Sequence, residues 1–121
     1  MKHYRPGAII CAAECVDGIP EHGLYGHMLR EAKNPPELLD RIMAPGFLKQ
    51  DQWQAQIQAQ IQLKAAVYVY SDHLSDAQIH AALLLPCRDI VATLKQLRER
   101  YGSHASICVL PEGPQTIPYV A

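Results

Sequence analysis

The residues that could do chemistry stand just beyond apolar runs. Glu14 and Asp17 follow residues 8–13, Ser71-Asp72-His73 follow residues 67–70, and Glu112 to Thr116 follow residues 106–110. If these runs are strands of a parallel sheet, the polar groups share its carboxyl edge. Ligands collect there in open α/β sheets, and carboxylates and an imidazole can bind small polar ligands or move protons. Glu14, Asp17, Asp72 and Thr116 are therefore the candidate residues of a cleft edge. Plain hydrophilic turns have the same composition. Cys15 with His22 or His73 would supply a thiol and base, but no nucleophile elbow, Walker loop, GxGxxG or HExxH accompanies them. No catalytic residue is assigned within the chain. His22 and His27 are five apart, which does not put both on one helical face, and no metal site is expected.

The element that organises the chain is residues 51–71, DQWQAQIQAQIQLKAAVYVYS, a helix turning directly into a strand. Asp51 and Gln54 have capping-box spacing. At about 100° per residue, Trp53, Ile57 and Ile61 form one apolar stripe and Ala55, Ala59 and Leu63 a second, while Gln54, Gln58 and Gln62 point outward. Gln56, Gln60 and Lys64 then fall in the middle of the inward arc. Two readings stay open for them. They bond to nearby backbone or snorkel, or Trp53 and Gln56 face a cleft against another domain, the indole as a wall and the amide as an orienting group.

The apolar run over residues 8–13 predicts a central strand buried on both faces. A weak helix over 21–32 follows, interrupted by Gly23 and Gly26. Asn34, Pro35 and Glu37 open a short helix over 35–43, and Pro45-Gly46 closes it. Residues 67–70 give a second strand. Ser75 and Gln78 form another capping pair, opening a helix to about Leu83, and Leu84, Leu85 and Pro86 form an edge strand or an extended link. A helix over 88–101 carries Ile90, Val91, Leu94, Leu97 and Tyr101 on one side and stops at Gly102, and residues 106–110 make a third strand. Strands alternating with helical crossovers predict an α/β fold: three layers, with a mainly parallel sheet of three to four strands.

At 121 residues the chain is expected to be a single α/β domain spanning residues 1–121. Eleven basic and twelve acidic residues leave a net charge of −1, which excludes a nucleic-acid-binding class. The KQLRER segment over 95–100 reads as a solvated helix face. No charged-then-apolar leader and no run of about 18 apolar residues is encoded, so a cytoplasmic protein without membrane partners is expected. Cys11, Cys15, Cys87 and Cys108 lack Cys-x-x-Cys spacing and are expected to be buried thiols.

Three segments, RPGAIICAAECVDGI, DQWQAQIQAQIQLKAAVYVYS and VLPEGPQTIP, resemble the C-terminal domain of the nickel-dependent lactate racemase family. The pattern there is a glycine-led strand ending in Glu-Cys-x-Asp-Gly, a Gln-Trp helix running into a strand, and a closing Pro-x-Gly-x-Thr-x-Pro. The last occurs here with one extra residue, Pro114-Gln115 standing between Gly113 and Thr116. The resemblance implies racemisation of a small 2-hydroxy acid by hydride removal and return, on a nickel pincer nucleotide bound to a lysine. It also implies that the metal ligand, that lysine and the acid/base histidines belong to an N-terminal catalytic domain, in the same or a separate chain. This chain would hold no cofactor, would be inactive alone, and would close over the cleft, presenting Trp53 with Gln56 at a matching position. The alternative is a stand-alone α/β binding or interaction module without catalysis.

Overall fold

The computed structural model describes residues 6–119. Three strands, β1 (Gly7–Ala12), β2 (Ala65–Tyr70) and β3 (Leu85–Pro86), form one parallel sheet in that order. Gly7 pairs with Ala65 and the register runs unbroken to Ala12 with Tyr70, while Tyr68 and Val69 meet Leu85 and Pro86. Backbone bonds from Ala13 to Tyr70 (3.0 Å) and from Cys87 to Val69 (2.9 Å) extend both ladders. The α/β class and parallel pairing are as the alternation of elements predicts. β2, not β1, is the central strand.

The connection from β1 to β2 carries α1 (Tyr25–Glu31), α2 (Pro35–Ile42) and α3 (Gln52–Gln62). Their contact builds the main core from Met28, Leu29, Leu38, Ile42, Ala55 and Ala59, with Ala82 from beyond the sheet. A second cluster of Val69, Leu74 and Ile79 joins β2 to α4 (Asp76–Ala81). Capping follows the sequence at two helices. Asn34 accepts from the Glu37 amide at 2.9 Å, and Ser75 and Gln78 make a reciprocal capping box.

It fails at the third. Asp51 adopts φ 65°, in the left-handed region, and makes no side-chain cap bond. A capping side chain needs an extended backbone at that position, so the Asp51 carboxylate turns away and lies over Gly23. A Cβ there would sit 1.9 Å from its Oδ2, and Gly23 itself has φ 73°. The glycine that weakens the first helix on sequence grounds thus accommodates the start of α3.

The inward face of α3 also differs from its apolar stripes. Ala55 and Ala59 are fully buried, whereas Trp53 is 60% exposed, Ile57 48% and Ile61 42%. Gln58 and Gln62, expected to point outward, turn in and donate to the carbonyls of Ala82 (2.8 Å) and Leu83. Carbonyls at the end of a helix lack intrahelical partners, so two amides secure the end of α4. The alanines permit close approach of the backbones, and the larger apolar groups are left outside. Gln60 and Lys64 are exposed, and Gln56 is half-buried.

Three further expectations are corrected. β1 is an edge strand with Ile9 and Cys11 exposed, since a continuous apolar run does not specify what covers it. Among the cysteines only Cys87 is buried; Cys11 and Cys108 are exposed, and all four are free thiols. Residues 106–110 form no strand. They follow α5 (Ile90–Tyr101), which Asp89 caps and Gly102 ends, and instead of joining the sheet they are exposed throughout. Thr93 alone is buried on α5, and Val91, expected on its inner side, is exposed. The polar lead-in before Pro6 lies outside the described residues.

Candidate functional site

The carboxyl ends of β1 and β2 lie side by side and form a shallow cleft. Ala12, Ala13 and Glu14 line it from one strand, and Tyr70, Ser71, Asp72 and His73 from the other. Ser71 joins the two. Its hydroxyl is buried, donates to the Glu14 carbonyl at 2.8 Å and accepts from the His73 amide at 3.2 Å. The polar side chains beside it, of Glu14, Asp72 and His73, are exposed. The structure therefore brings Glu14 and Asp72 to one edge, as the strand-end argument requires. Asp17 sits nearby, on the turn closed by the Gly18 amide bonding to the Cys15 carbonyl at 2.9 Å.

Arg88 holds the second half of this edge in place, a role its sequence position does not disclose. The guanidinium donates to the carbonyls of Ser71 (2.9 Å) and Leu74 (2.7 Å) and to the Asp76 carboxylate (2.6 Å). A planar fork with several donors suits such a set of acceptors. The 71–74 turn that carries Asp72 and His73 is thereby tied to the segment before α5. Only the folded chain brings these groups together, so no local signal could have found them.

Thr116 is not at this edge through any contact of its own. It follows a short 3-10 turn (Gly113–Gln115) beyond α5, is exposed, and donates to the Glu112 carbonyl at 2.9 Å. Trp53 and Gln56 occupy the first turn and a half of α3. Because α3 leads straight into the amino end of β2, that turn is directed toward the carboxyl end of the sheet. Gln56 makes one weak contact, its amide 3.9 Å from the Met43 sulfur. The indole is open to solvent.

Among the described residues no three histidine, cysteine or acidic side chains converge as a ligand set. A depression between α1 and α2 carries Arg41 and Lys49, but both reach Glu31, at 4.0 and 3.8 Å, and offer no uncompensated charge. Among the described residues no helix is long and apolar enough to cross a membrane.

The model of the lactate racemase C-terminal domain matches residues 2–117. The chain belongs to that family. Members of the lactate racemase family align along nearly all of it: the lactate racemase of Thermoanaerobacterium thermosaccharolyticum is 31% identical over 113 residues, covering 92% of this chain. That of Lactiplantibacillus plantarum is 31% identical over 109 residues, covering 88%. In both cases the match occupies 26% of the relative's length. The solved structure of the Thermoanaerobacterium lactate racemase apoprotein superposes with a TM-score of 0.78 at 28% identity, over 93% of this chain and 28% of that one. This lactate racemase C-terminal domain thus spans about a quarter of the length of its relatives.

Proposed function

We propose that the chain is the C-terminal part of a lactate racemase-like enzyme acting on a small 2-hydroxy acid, closing over a cleft formed with an N-terminal catalytic portion. The observation that carries this reading is the outward stripe of Trp53, Ile57 and Ile61. An indole and two isoleucines on the exposed side of one helix form the kind of apolar patch that marks an interaction surface, and the chain covers only a quarter of its relatives. Trp53 serves as an apolar wall of the cleft. Gln56, whose amide has only a sulfur contact, orients a polar group of the substrate, and Glu14, Asp17, Asp72 and Thr116 belong to the cleft edge.

The resemblance also brings a nickel pincer nucleotide. The residues described here do not fit it, since they assemble no donor set. Its ligands and its lysine belong to the N-terminal portion, and no step through it is derived from this chain. What this chain contributes is enclosure: it excludes water and positions the substrate, the usual division of labour between protein and cofactor. The protein is expected to act in the cytoplasm.

The test is to express the complete reading frame that contains these residues, load it with nickel and cofactor, and follow the enantiomer ratio of lactate. Racemisation by the complete protein, absent from residues 1–121 alone and reduced by Trp53→Ala with the fold retained, is the expected result. A complete protein that leaves single enantiomers of lactate and other 2-hydroxy acids unchanged would sink the proposal and favour a binding module.

A further inference from the structure

Residues 106–110, SICVL, have the composition of a strand and none of its bonds. Ile107 is 59% exposed and Val109 76%, and Leu110 is exposed as well. Among the described residues no backbone hydrogen bond involves this segment. Adjacent β-branched residues with unpaired amides and carbonyls form a template for pairing with another strand. α5, which delivers the segment, buries little beyond Thr93 and leads the chain off the sheet rather than back to it.

We propose that residues 106–110 are a donated strand, pairing with an open sheet edge of the N-terminal portion in the same polypeptide and fastening the two parts together. The inference rests on the two-part reading above and adds the element that makes the junction. Two observations select this occupant. About three-quarters of the relatives' length lies outside the match, so a large body is available. The match to the solved apoprotein covers 93% of the chain, more than the residues up to Tyr101 supply, so it runs past α5 into the segment that follows. The course away from the sheet therefore accompanies the complete relative and does not represent a strand that failed to fold back. Main-chain bonds would supply the affinity in such strand addition, and alternate side chains the register.

The test is amide hydrogen exchange, read on peptides covering 106–110, in residues 1–121 alone and in the complete reading frame. Exchange slowed at least about 100-fold in the complete protein, the scale on which paired amides are protected, is the expected result. Val109→Pro, which removes a ladder donor, should abolish that slowing, and Val109→Thr should retain it. Fast exchange of 106–110 in the complete protein, with the Trp53 fluorescence shifted to that of a buried indole, would overturn the strand and leave the two-part reading standing. If neither probe changes, both fail. Slow exchange in residues 1–121 alone that strengthens with concentration, together with a dimer mass, would assign the segment to a second copy and overturn the proposal. A reading frame that holds these residues only would overturn it too.

Discussion

The phenolic hydroxyl of Tyr25 on α1 donates to Oε1 of Gln58 on α3, joining two helices through residues 33 positions apart. The Gln58 amide passes the link to the Ala82 carbonyl at 2.8 Å, so one side chain ties α1, α3 and the end of α4. Tyr25→Phe should cost about 1 kcal/mol, the scale of one lost hydrogen bond in a partly buried place. Gln58→Leu removes both bonds and should cost about 2 kcal/mol. Urea denaturation of the two variants and their combination checks this. The combined loss should fall short of the sum by about 0.5 kcal/mol or more, and strict additivity would show that the two residues do not share an interaction.

The same contact predicts a response to alkali. Burial raises the Tyr25 hydroxyl above its ordinary value of 10.0. The unfolded chain then gives up this proton at a lower pH than the folded one. Its contribution to stability is complete below the unfolded value and is lost as pH rises through the folded value. Denaturation midpoints followed above pH 10 should fall less steeply in Tyr25→Phe than in the parent chain. Equal slopes would remove Tyr25 from the account.

Trp53 should be dispensable for folding. With the indole 60% exposed, Trp53→Ala in residues 1–121 should alter stability by no more than about 0.5 kcal/mol, as surface substitutions do. In the complete protein the same change should lower activity or weaken the junction. A large loss of stability in the isolated chain would instead make Trp53 a core residue and remove it from the cleft.

Arg88 should matter through the carbonyls it holds more than through its ion pair. Arg88→Ala leaves the Ser71 and Leu74 carbonyls without the guanidinium and should destabilise by about 1–3 kcal/mol. Asp76→Ala should cost about 1 kcal/mol or less, since both charged groups are close to half exposed. Thermal melts distinguish the two. A loss in Asp76→Ala equal to that in Arg88→Ala would show that the ion pair carries the interaction.

The elements set by neighbouring residues were legible in the chain itself. Asn34 with Glu37 and Ser75 with Gln78 start helices because a cap is a contact across three positions. The alternation of apolar runs with helices similarly determined a parallel sheet, and the strand-end rule placed Glu14 and Asp72 at one edge. What the tertiary structure decided was which surfaces meet. The apolar stripe of α3 faces solvent and its glutamines face inward, because small alanines admit close packing and distant carbonyls at Ala82 and Leu83 need donors. Periodicity registers a side chain's polarity and position but not a partner far along the chain. Residues 106–110 show the converse: strand propensity was present in the sequence, but a strand exists only where a second edge supplies its hydrogen bonds.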